Sequence, residues 1–153
     1  GPQGSQRHRG IQKNKGIGGM RIHNSIFRYI EFELYQYDET KKELARYKEE
    51  ILESTNKPEV NVKTMPGNIT ESKAIKIASS PFVMRAERTI KAIDKALAML
   101  GENHWRLFKL KYCDCMPWQE IVITMNISDR QYFKLRRELV IAVGQNLGLL
   151  NIE

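Results

Sequence analysis

No apolar run in this sequence approaches the roughly 18 residues that a bilayer-spanning helix needs. The opening stretch, rich in Gly, Gln, Arg and Lys, also lacks the apolar segment of a secretory signal. A cytoplasmic protein with no membrane partner is therefore expected. Cysteine is scarce: Cys113 and Cys115 stand too close together for an unstrained disulfide, and no third cysteine exists to pair with either, so both are expected to be reduced. His104 beside these two lacks the paired spacing of a zinc module, and neither a metal nor any other cofactor is expected. No phosphate-binding glycine loop, nucleophile elbow or metalloprotease helix occurs. The carboxylates lie mostly on a lysine-rich helical stretch, where i,i+4 pairing accounts for them, so an enzyme is not expected. Sustained alternation of polar and apolar residues is missing too, which leaves an all-α fold class.

What is present is a chain of 153 residues that is 41% hydrophobic, enough for one compact domain or for a small domain with a helical arm. Its formal net charge of +7 is unevenly placed. Residues 1–23 hold five basic side chains and no acidic one, whereas cations and anions nearly balance over the rest. Gly1-Pro2-Gln3-Gly4-Ser5 reads as the scar of a cleaved expression tag, and the remainder of 1–23 as a flexible basic arm. The overall charge thus says little about a nucleic-acid partner, and local patterns must carry that question.

From Asn24 to Ser54 no Gly or Pro interrupts a four-three spacing of Ile30, Leu34, Tyr37, Lys41, Leu44, Lys48 and Ile51, which predicts one long amphipathic helix over 24–54. The spacing suits a seam between two copies, hence a homodimer, as well as a helix packed on its own chain. Lys41 and Lys48 on the seam weaken a tight zipper. Residues 55–71, with Pro58, Pro66 and Gly67, read as a linker. Over 72–153 the sequence predicts a helical domain. Ser80-Pro81 starts a helix whose apolar face runs through Val83, Ala86, Ile90, Ile93, Leu97 and Leu100, and Asn103 to Tyr112 forms another with Trp105, Phe108 and either Leu110 or Tyr112 inward.

Within that domain, 117–146 carries the functional signal. A short helix, Trp118 to Met125, puts Ile121 and Met125 inward; Asn126-Ile127-Ser128 follows, and then a longer helix begins at Asp129 and is closed by Gly148. Asn126 falls where the backbone must turn left-handed. Ser128 caps the next helix, Gln131 sits at the capping-box position, and Ile127 and Tyr132 form a hydrophobic staple. Such caps open many helices that never meet nucleic acid. The distinctive feature is the second helix's outer face: with Tyr132, Leu135 and Leu139 inward, Arg130, Phe133, Lys134 and Arg137 point outward with Arg136 at the flank. Only Asp129 opposes these four cations between 129 and 137. Arginine and lysine suit guanine edges and phosphates in the major groove, and an exposed Phe suits a thymine methyl. The expected DNA-binding residues are Ser128, Arg130, Gln131, Phe133, Lys134, Arg136 and Arg137, with double-stranded DNA as partner.

The segments Arg28-Tyr29-Ile30-Glu31 through Tyr37, Lys73-Ala74-Ile75-Lys76-Ile77-Ala78-Ser79, Arg88-Thr89-Ile90-Lys91-Ala92-Ile93, Ile127 through Leu139, and Leu147-Gly148-Leu149-Leu150 together resemble the ArpU/RinA-type regulators of phages infecting Gram-positive bacteria. The resemblance runs in order from about Arg21 to Leu150. It departs at Val122 and Asn126, where such motifs usually carry alanine and glycine. The resemblance implies a phage or prophage activator of late, packaging or lytic genes, with a helix-turn-helix similar to region 4 of sigma factors and bacterial RNA polymerase as a second partner. A small terminase subunit and a module that binds an acidic protein are the rival readings.

Overall fold

The computed structural model describes residues 21–54 and 70–150; the readings of 1–20 and of most of the linker, 55–69, lie outside them. Among the described residues all regular structure is helical: α1 (Asn24–Tyr35), α2 (Tyr37–Ser54), α3 (Glu71–Ser79), α4 (Pro81–Met99), α5 (Glu102–Leu107), a π-helical segment (Phe108–Cys113), α6 (Trp118–Met125) and α7 (Asp129–Asn146). The all-α expectation holds, and no described helix is long and apolar enough to cross a membrane.

The expected single helix over 24–54 is two helices, with Gln36 between them. The Gln36 carbonyl accepts from the Thr40 amide at 2.7 Å, and Asp38 and Glu39 fill the first turn of α2, where negative charge offsets the exposed amide dipoles of a helix start. No Gly or Pro marks the break. The compact units divide near it as well: residues up to Tyr35 belong with those from Ala92 onward, and Gln36–Lys91 form the other unit.

In the Gln36–Lys91 unit, α2 and α3 pack together. Lys73 is buried, and its ammonium donates to the Leu52 carbonyl at 3.0 Å, so a cation meets the last turn of α2, where carbonyls lack intrahelical partners. Thr70 caps α3 by accepting from the Lys73 amide, and Ser80 caps α4 by accepting from the Val83 amide. Tyr47 and Phe82 meet edge to face at 5.3 Å.

The other unit is built around α7. Leu139, Val140, Ile141, Ala142, Val143 and Gly144 are buried in succession, so this half of the helix is enclosed on every side. Helix α1 lies against it with Ile30 and Leu34 fully buried. Those two seam residues are therefore spent inside a single chain. Gly144 permits the approach. A Cβ there would stand 2.7 Å from Leu150 Cδ1 and 2.9 Å from Ile30 Cδ1. Helix α5 covers α7 further along, and the π-helical segment packs on α1 and α6. The wider π turn, closed by the Asp114 amide on the Lys109 carbonyl at 2.9 Å, shifts the phase of the expected 103–112 helix. Phe108 and Tyr112 are buried on the expected inward face, together with Leu107, while Trp105, also expected inward, is 49% exposed with the Lys109 ammonium 5.9 Å from its ring.

Candidate nucleic-acid interface

The boundary between α6 and α7 is set by three local devices. Asn126 adopts φ 58°, ψ 52°, the left-handed geometry expected of it. Its amide donates to the Ile123 carbonyl and the Ile127 amide to the Val122 carbonyl at 3.1 Å, a Schellman-type closure of α6. Ser128 then stands in extended geometry, and its hydroxyl oxygen accepts from the Gln131 amide at 3.1 Å. Beneath this turn Ile121, Met125, Tyr132, Leu135 and Leu107 form a buried cluster, with Val122, Ile127 and Trp118 packed against it. The staple and the cap therefore agree on where α7 starts and how it leaves α6.

On the opposite side of α7's first turns, Arg130, Gln131, Phe133 and Lys134 are exposed and Arg137 is half-buried. At 3.6 residues per turn, Arg130, Phe133, Lys134 and Arg137 share an arc of about 100°, so the structure gathers four of the predicted side chains on one face. Phe133 is 44% exposed. Its ring lies 5.3 Å from Trp118 and 4.9 Å from Tyr132, the latter edge to face.

Arg136 is set apart from them. Its Nε and one Nη donate to the two oxygens of Glu31 on α1, each at 2.8 Å, and its guanidinium lies 5.0 Å from the Phe27 ring. The Tyr112 hydroxyl donates to the same carboxylate. Burial alone would push the Glu31 carboxyl up, but the hydrogen bonds from Arg136 and Tyr112 and the charges of Arg136 and Lys111 outweigh it and hold Glu31 below its ordinary range. Hydrogen bonding to Glu31 raises Arg136 further than its burial lowers it. Burial first, and then the charge of Glu31, push the Tyr112 phenol well up, which keeps its proton on the donor side.

Beside this network the Lys111 ammonium stands 5.3 Å, 5.7 Å and 5.8 Å from the rings of Tyr112, Tyr35 and Tyr132. Cation–π attraction thus joins α1, the π-helical segment and α7 around one charge. His104 Nε2 lies 2.9 Å from Glu138 Oε1 and ties α5 to the middle of α7. Sequence patterns reveal neither tie. Glu31 and Arg136 are 105 positions apart, and no periodicity links them.

These contacts fix the direction of α7, whose first two turns bury Tyr132 and Leu135 and leave Arg130, Phe133 and Lys134 exposed. A family model described as a protein of unknown function (DUF722) matches residues 26–144. Nothing among the curated proteins or the solved structures matches the chain.

Proposed function

We propose, for a chain that belongs to the DUF722 family, that it is a binding protein and not a catalyst, and that it recognises a specific sequence of double-stranded DNA with α7 as the recognition helix. The observation that carries this reading is the arc of exposed Arg130, Phe133 and Lys134, with half-buried Arg137 on the same side, presented directly after a left-handed Asn126 and a Ser128 cap. A short helix, a tight turn and a second helix at this spacing form the helix-turn-helix arrangement, in which the first residues of the second helix enter the major groove. Arg130 and Lys134 lie in the first two turns and would reach base edges; Arg137, farther along, suits the phosphate backbone. Arg136 is occupied by Glu31 and acts on this face by holding α7 in place. The capping hydroxyl of Ser128 and the amide side chain of Gln131 stand at the helix start, where phosphate oxygens meet helix N-termini in such complexes.

The resemblance to ArpU/RinA-type regulators makes the specific form of the reading a phage or prophage transcriptional activator working with host RNA polymerase in the bacterial cytoplasm. The test is selection of duplexes by the full chain from a random-sequence pool, with light scattering on the free protein. Enrichment of one sequence by a monomer or dimer is expected. Failure to enrich any duplex would overturn the reading, and a large ring that binds duplex would favour a terminase subunit.

A further inference from the structure

Phe133 is the one large apolar side chain on an arc that is otherwise cationic, and its position is braced. Trp118, half-buried at the start of α6, lies 5.3 Å from its ring, and Tyr132, 1% exposed, meets it edge to face at 4.9 Å. Two aromatic neighbours limit the ring's rotation, so the exposed part of the ring is presented in one place at little further entropic cost on binding. Arg130 and Lys134 flank it on the same arc, and any duplex they draw in brings its major groove against the ring. The hydrogen-bonding edges of guanine, cytosine and adenine and the phosphates would lose hydration against a hydrocarbon ring that can neither donate nor accept a conventional hydrogen bond. In that groove only thymine, through its C5 methyl group, offers an apolar surface.

We propose that Phe133 is a specificity-determining residue that reads the 5-methyl group of a thymine, an inference that rests on the DNA-binding reading above. The side chain excludes water from the methyl, and the gain is the burial of one carbon against an aromatic ring. At the usual value of one methylene removed from water, burying that methyl is worth about a fourfold change in affinity.

The test takes the duplex that the full chain enriches from a random pool and replaces each thymidine in turn with deoxyuridine, which removes the methyl and leaves base pairing intact. Affinity is followed by fluorescence anisotropy at one fixed salt concentration, for the unaltered chain and for Phe133→Ala. The expected result is a drop of about fourfold at one thymidine, absent in Phe133→Ala. Phe133→Gln, which keeps length without the apolar ring, serves as a second variant, and circular dichroism reports whether each is folded. The uracil series on the unaltered chain does not depend on either variant. An enriched site with no position sensitive to uracil, or a sensitivity that persists in both folded variants, would overturn the assignment to Phe133 and leave DNA binding standing. Failure to enrich any duplex would overturn both together.

Discussion

The two halves of α7 make opposite use of one helix. Between Asp129 and Arg137 only Tyr132 and Leu135 are buried, whereas beyond Glu138 every residue from Leu139 to Gly144 is. The helix is 18 residues, about 27 Å, long. Its far half is gripped by α1 and capped at its end by Gly148, at φ 76°, with the Leu149 amide on the Gly144 carbonyl at 2.9 Å. The near half projects its cations from that anchorage. Direction and recognition are therefore separable in this helix. Residues that aim it lie in its second half and in the Arg136 pairing with Glu31, Tyr112 and Lys111; residues that would touch a ligand lie on the arc from Arg130 to Arg137.

The anchored half should respond most strongly to substitution. Leu139 is fully buried, and Leu139→Ala should lower stability by about 2–5 kcal/mol through reduced burial and the cavity left behind. Urea unfolding measures the decrease, while the affinity of the remaining folded protein for DNA at low temperature should be unchanged. Ser128→Ala sits at the boundary and should cost roughly 0.5–2 kcal/mol by removing the cap on the Gln131 amide. Thermal melting reads that cost. A variant that melts normally yet binds no DNA would assign Ser128 to a phosphate contact and not to the cap.

A smaller effect is expected from acid. Glu31 is held below its ordinary value of 4.5 in the folded protein. A carboxylate depressed on folding contributes stability that is full above its unfolded pKa and is lost as pH falls through the lower folded one. Stability should therefore decline below about pH 4.5 in the unaltered chain. The Glu31→Gln variant should show a shallower decline over the same window, compared by melting in matched buffers.

Most of the near half was legible in the sequence because its devices are local. Asn126, Ser128, Ile127 and Tyr132 act across at most five residues, and each occupies the role that spacing predicts. The anchoring half was legible only as apolar content. That α1 packs on it, through Ile30 at Gly144 and Glu31 at Arg136, depends on contacts across more than a hundred residues, and no helical period encodes them. The four-three spacing from Ile30 to Ile51 runs unbroken past Gln36, so periodicity alone could not find the boundary there between two helices and two units. Trp105 was misplaced for a different reason. The buried face there is centred on Leu107 and Phe108, and at 100° per residue Trp105 stands about 200° from Leu107, so it falls outside that face.

Binding of duplex DNA through the cations on the exposed half of α7 can be put to a single anisotropy titration: the enriched duplex against Arg130→Ala/Lys134→Ala at two salt concentrations. Both side chains are exposed, so circular dichroism and melting should be unchanged within about 0.5 kcal/mol. Each substitution should weaken binding by about 1–3 kcal/mol. Whichever of the two side chains neutralises a phosphate should also flatten the salt dependence on removal, by a slope of about 0.9 for each phosphate left without its cation. A folded double variant that binds the same duplex with the affinity and salt slope of the unaltered chain would show that α7 is not the recognition helix.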